Sequence, residues 1–187
     1  MFEKITESIQ KVGRFSEQNL ADFTDKLHLK TVPKDAVLLQ KGQVCNAVYF
    51  VKSGSFRQYR INEENDELTL NLFLENDWVF DFESFMQQKP SKNSIAAFEE
   101  TTVFELSITV LHELIAVSQA FLLLGTLLQV GARDSTYETL VSPEAKYRYL
   151  MHKKPQLLQK FPLKHIASYL RMTPETLSRV RKKMNEK

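Results

Sequence analysis

Asp77 to Ala97 reads DWVFDFESFMQQKPSKNSIAA, in which three acids, two lysines and an Asn-Ser pair are set among aromatics. Such a stretch suits a loop that closes over a small anionic ligand, with apolar faces for its skeleton and hydroxyls, amides or ammonium groups for its charge. The pocket candidates are Trp78, Phe80, Asp81, Phe82, Glu83, Ser84, Phe85, Asn93 and Ser94, with Lys89 and Lys92 between them. No bond-breaking constellation stands out. Asp81 and Glu83 have a local spacing that surface acids reach by chance, and no Ser-His-Asp set is apparent, so no catalytic residue and no enzyme activity is expected.

A second chemistry is written in charge. Residues 1–143 carry 13 Lys and Arg against 20 Asp and Glu, whereas residues 144–187 carry 12 against 3, so a net charge of +2 conceals a basic C-terminal module. That asymmetry suits an anionic partner or a solvated basic tail. Within it, FPLKHIASYLRMTPETLSRVRKKM predicts two short helices joined by a tight turn. Ile166, Ala167 and Leu170 face inward on the first, Leu177 and Val180 on the second, and Thr173 caps the second with Pro174 in its first turn. This is the pattern of a helix-turn-helix whose second helix enters a DNA major groove. Glu175, Ser178, Arg179 and Lys182, led by Thr173 and Pro174, then face the bases; Glu accepts from a cytosine amino group and Arg pairs with guanine. Lys164, Arg181, Lys182 and Lys183 suit phosphates. A helical hairpin with a solvated basic face is the alternative.

Metal and redox chemistry find little support. His28, His112, His152 and His165 fall outside the expected strand region, against a cupin-like metal site, so no metal is expected. One cysteine, Cys45, excludes an internal disulfide and an iron–sulfur cluster, while haem, which needs only an axial ligand, stays open. The longest apolar run, AFLLLGTLLQVGA, is too short to span a bilayer, and MFEKITESIQ has no apolar signal core. The expectation is a cytoplasmic chain with no membrane partner.

The elements that must hold these groups follow from periodicity. Phe2, Ile5, Ile9 and Val12 predict one helix, and Ser16 caps a second carrying Leu20, Phe23 and Leu27. From Val32 to Ser107 short strands with turn signals predict a sandwich, jelly roll or small barrel. They include a hairpin at Ser53-Gly54 and a strand with Leu68, Leu70, Leu72 and Leu74 on one side. Between Gln119 and Val141, Leu123, Leu127, Val130, Asp134, Tyr137 and Val141 have the spacing of a coiled-coil seam, which fits a dimer helix or a buried helix of the domain. Ser142-Pro143 starts another helix where the composition shifts. The fold class is α+β. Residues 1–118 form a β-roll domain with N-terminal helices, 119–141 a dimerisation helix and 142–187 the helix-turn-helix domain.

The order of these parts resembles the cyclic-AMP receptor / Fnr (Crp/Fnr) family of bacterial transcription regulators, over about Phe15 to Met184. LLQKGQVCNAVYFVKSGSFR is similar to the family's first β-hairpins, FDFESF and SIAAFEETTVFELS to its ligand cassette and final strands, and HIASYLRMTPETLSRVRKKM to its operator-reading module. ASYL and TPETLSR resemble the Bacteroidetes branch. The resemblance implies a homodimer on double-stranded DNA, since paired half-sites need a symmetric protein.

It also implies what has changed. The family's cyclic-nucleotide binders hold the ribose with a Gly-Glu pair and the phosphate with an Arg-Ser pair. These positions are Phe80-Asp81 and Asn93-Ser94, so only the serine remains. A phosphate deprived of its bidentate cation loses roughly a hundredfold or more in affinity. No cofactor is therefore expected with certainty; cyclic nucleotide is possible by family but disfavoured by Phe80 and Asn93. The base-contacting positions of the dimer helix fall on Gly131 and Ala132, with Ser135 and Thr136 a turn away. Either another, unknown effector binds among the aromatics or they fill the pocket. In the reading helix the family's leading Arg is Pro174, while Glu175 and Arg179 stay, and the family's β-hairpin wing is not expected. A sensor or scaffold that has lost DNA binding and contacts a protein is the rival reading.

Overall fold

The computed structural model describes residues 1–131 and 139–185. Their elements run α1 (Glu3–Gln10), α2 (Glu17–Asp25), β1 (His28–Val32), β2 (Val37–Leu39), β3 (Ala47–Ser53), β4 (Phe56–Ile61), β5 (Glu67–Phe73) and β6 (Trp78–Val79). There follow α3 (Phe82–Gln87), β7 (Ser94–Ala97), β8 (Thr101–Ser107), α4 (Ile108–Val117), a 3-10 turn (Gln119–Leu123) and α5 (Leu124–Gly131). The chain ends in α6 (Pro143–Lys153), α7 (Pro155–Lys160), α8 (Leu163–Tyr169) and α9 (Pro174–Asn185). Two compact units result: Met1–Arg57 with Phe73–Ala132, and Gln58–Leu72 with Arg133–Lys187. The fold class is α+β, with two four-stranded sheets ordered β1-β8-β3-β6 and β2-β7-β4-β5.

In the first unit a core joins the two sheets. Val48, Phe50 and Val51 of β3 and Val103, Phe104 and Leu106 of β8 cluster with Leu39 of β2, Phe56 of β4 and Ile95 and Ala97 of β7. Ile5 and Ile9 of α1 and Phe23 of α2 are buried in the same cluster, as their helical spacing predicts. Ser16 starts α2 with a capping box: its hydroxyl accepts from the Asn19 N–H (3.1 Å) and the Asn19 side chain accepts from the Ser16 N–H (3.2 Å).

Ser53-Gly54 is not a hairpin. β3 and β4 lie in different sheets, so the chain crosses between sheets here. Gly54 has φ +96°, and a Cβ would collide with the Thr101 hydroxyl and the Glu100 carbonyl. A second crossing, between β7 and β8, packs against this corner. The Ser55 N–H donates to Thr101 Oγ1 (3.0 Å) and the Ser55 hydroxyl to the Glu99 carboxylate (2.9 Å). His28 opens β1, which starts earlier than the sequence suggests, so one histidine does stand on a strand. Among the described residues no three His, Cys, Asp or Glu side chains gather as metal ligands, and no helix is long and apolar enough to cross a membrane.

The expected seam divides. Leu123 ends the 3-10 turn, 37% exposed, and its side chain lies against Gly13 of the same chain. Leu127 is buried in the first unit's own core, and Val141 is 96% exposed outside any helix. Asp134 and Tyr137, like Ala132, Ser135 and Thr136, lie outside the described residues, as does the side chain of Val130. Ser118 breaks the regular helix: its hydroxyl caps the 3-10 turn, accepting from Ala120 N–H, so the 3.5-residue repeat does not start in α-helical geometry.

In the second unit, Ser142 caps α6 by accepting from the Ala145 N–H, with Pro143 at the first position, as expected. Leu70 and Leu72 of β5 are buried, but so are Thr69 and Asn71 on the opposite face, so the alternation predicted from the leucines gives no solvent face beyond Leu68.

Candidate functional site

The cassette is built on α3 and the loop that follows it. Asp81 is 3% exposed and both of its carboxylate oxygens are engaged. One accepts from the Ser84 N–H (2.9 Å), capping α3, and the other accepts from the Asn93 amide (2.7 Å). The two residues that the resemblance sets against the family's Glu and Arg thus bind each other. The Ser94 hydroxyl accepts from the Lys41 N–H (3.0 Å). Ser84 Oγ accepts from the Cys45 N–H (2.9 Å) and donates to the Lys89 carbonyl (2.5 Å), pinning the loop back to the strand region. Burial pushes the Cys45 thiol up from its ordinary range.

The aromatics play separate parts. Phe80 and Phe85 are buried, edge to face at 5.8 Å. Phe82, 37% exposed, lies 6.2 Å from Phe80. Trp78 is committed elsewhere: its indole N–H donates to Ser8 of α1 (3.0 Å) and its ring meets Phe50 edge-on at 5.2 Å, so it belongs to the core of the roll. A shallow cleft of about 350 Å³ lies outside α3, bounded by Glu83, Lys89 and Lys92 among others. Glu83 and Lys92 pair across it at 3.7 Å, both well exposed.

The C-terminal module has the predicted helix-turn-helix, and its turn has a definite mechanism. The Arg171 N–H donates to the Ser168 carbonyl (3.1 Å) and the Met172 N–H to the Ala167 carbonyl (3.0 Å), while Arg171 has φ +58°. This is a Schellman closure with arginine where glycine is favoured. Thr173 Oγ1 then accepts from the Thr176 N–H (3.2 Å) and opens α9. Ile166, Ala167, Leu170, Leu177 and Val180 are buried. Thr173, Glu175, Ser178, Arg179, Arg181, Lys182, Lys183 and Lys164 are exposed and Pro174 half-buried. The Glu175 carboxyl is held below its ordinary value by its own backbone N–H first and by the Thr173 hydroxyl second.

Lys183 differs from its neighbours. Its ammonium lies 3.1 Å from Glu144, tying the end of α9 to the start of α6. The sequence treated it as a phosphate ligand because spacing along one helix cannot show an acid from another. It also gave no role to Ser168 or to the Arg171 side chain, although it marked Arg171 as a turn residue where glycine is favoured: the Ser168 hydroxyl accepts from the Thr69 N–H (2.8 Å) and the Arg171 guanidinium donates to the Thr69 carbonyl (3.0 Å).

Comparison with known proteins fits this geometry. Residues 29–118 match the family described as cyclic nucleotide-binding domain. No curated protein sequence matches. Among solved structures, FixK2 from Bradyrhizobium japonicum is similar at TM-score 0.67 and 15% identity, over 86% of this chain and 85% of that one. The catabolite activator protein of Thermus thermophilus is similar at TM-score 0.57 and 21% identity, over 92% and 84%. A regulator assigned to the Crp/Fnr family from Eubacterium rectale is similar at TM-score 0.62 and 17% identity, over 91% and 84%. The chain has a cyclic nucleotide-binding-type domain and the Crp/Fnr fold. Within that fold, Asp81 and Asn93 of the cassette are bonded to each other, and the helix-turn-helix keeps an exposed polar stripe on α9.

Proposed function

We propose that the chain is a DNA-binding transcription regulator, acting as a homodimer, whose cassette does not bind cyclic AMP in the family's usual way. The DNA reading rests on α9. Its capped N-terminus presents Thr173, Glu175, Ser178, Arg179 and Lys182 to solvent while Leu177 and Val180 hold it to the module. Arg179 and Glu175 read bases, and Lys164, Arg181 and Lys182 meet phosphates. The altered cassette is supported by the Asp81–Asn93 hydrogen bond. A cyclic phosphate and ribose would have to break it, and would find no guanidinium in return.

The test is anisotropy of a labelled mixed-sequence duplex over a salt series, with and without cyclic AMP. Binding should weaken steeply with salt, fall further in Arg179→Ala and be unmoved by cyclic AMP. Tightening by cyclic AMP would overturn the cassette reading. No binding at low salt would overturn the DNA reading and leave a module that contacts a protein.

A further inference from the structure

Gln58–Leu72, which make up most of the hairpin β4–β5, belong to the same compact unit as the helix-turn-helix. Its turn is closed by the Asn62 N–H donating to the Asp66 carbonyl (2.9 Å) and the Asp66 N–H donating to Asn62 Oδ1 (2.7 Å), with Asn65 left-handed at φ +66°. The tip, NEENDE, carries Glu63, Glu64, Asp66 and Glu67 and contains no Lys or Arg of its own. This is the sign of charge that DNA carries.

β5 is bound to the reading module through both polar groups of one peptide position. The Thr69 N–H donates to Ser168 Oγ of α8 and the Thr69 carbonyl accepts from the Arg171 guanidinium of the turn. Thr69 is fully buried, which explains why this strand lacks a solvent face. Next to these bonds is a cleft of about 560 Å³. One wall carries Asp66, Glu67 and Leu68 of the hairpin; the other carries Lys164, Arg171, Thr173 and Pro174. The second wall is the end of the module that the DNA reading turns towards the duplex. A left-handed backbone at a non-glycine residue is costly, and at Arg171 it accompanies a side chain that clasps the hairpin.

We propose that the β4–β5 hairpin is an acidic clamp on the reading head, with Asp66 and Glu67 occupying the ground that DNA phosphates take, so that hairpin and duplex compete for Lys164, Arg171 and the start of α9. The proposal rests on the DNA reading of α9 and adds its regulation. With the clamp closed, a phosphate approaching Lys164 and Arg171 also meets the two carboxylates that line the same cleft. The clamp opens by loss of the two Thr69 hydrogen bonds, and the turn of the hairpin can stay intact as it moves.

The experiment compares two double variants of equal charge change with the wild-type chain on a mixed-sequence duplex at low salt. Asp66→Asn with Glu67→Gln neutralises the cleft wall; Glu63→Gln with Glu64→Gln neutralises the outer tip. The cleft pair should tighten binding by about three- to tenfold and the tip pair by no more than about twofold, because charge at contact outweighs charge across solvent. In parallel, amide hydrogen exchange at Thr69 should quicken when the wild-type chain binds the duplex. Equal gains from both pairs, or no gain from the cleft pair, overturns the clamp while wild-type binding leaves the DNA reading standing. Undiminished Thr69 protection in the complex also overturns it. Failure of all three chains to bind the duplex overturns the DNA reading and the clamp with it.

Discussion

At the scale of single residues, polar side chains here are decided by their partners. Asp81 looks like a ligand contact in the sequence, yet it is a helix cap and an anchor for Asn93. Asp81→Ala should therefore cost stability, about 2–3 kcal/mol for a lost cap and a buried charge-assisted hydrogen bond, measured by urea unfolding. Glu144 carries a pH prediction. Its carboxyl is lowered by its own backbone N–H and then by the Lys183 ammonium. A depressed folded value means that the tie adds stability above the ordinary value of 4.5 and that this is lost as the pH falls through the lower folded one. A double-mutant cycle of Glu144→Gln and Lys183→Gln should show coupling at about pH 7 that falls away as the pH is taken down through the folded value.

At the scale of elements, the corner at Gly54 governs how the strands divide between sheets. Its positive φ and the absence of room for a Cβ mean that Gly54→Val should destabilise by about 2–4 kcal/mol, read as a fall in the urea midpoint with the slope unchanged. The sequence showed the glycine and the two β-rich runs but took them for a hairpin. Local pattern cannot tell a turn within a sheet from a crossing between sheets, because both need the same backbone freedom. Helix starts were more legible. Ser16, Ser142 and Thr173 each accept the backbone N–H that their type and position announce, since capping is settled within four residues. The six-residue helix α3 gave no readable period, being too short for one.

At the scale of the whole molecule, the prediction concerns charge. Each phosphate neutralised adds about −0.9 to the slope of log affinity against log salt. Lys182→Gln should flatten that slope by about 0.9 per protomer on a salt titration. Lys183→Gln should flatten it less, because Glu144 already engages that ammonium. Light scattering bears on the dimer: a monomer at concentrations that bind DNA would remove the two-fold reading of an operator, though not the module's affinity for a duplex.

The sequence by itself determined the fold class, the helix caps at Ser16, Ser142 and Thr173 and the basic module. All of these depend on residue type and on neighbours a few positions away. Tertiary structure decided what long separations bring together: Trp78 with Ser8, Lys183 with Glu144, Leu123 with Gly13 and Thr69 with Ser168 and Arg171. A buried polar group takes its role from whichever partner satisfies it, and that partner is set by the path of the chain rather than by the local sequence.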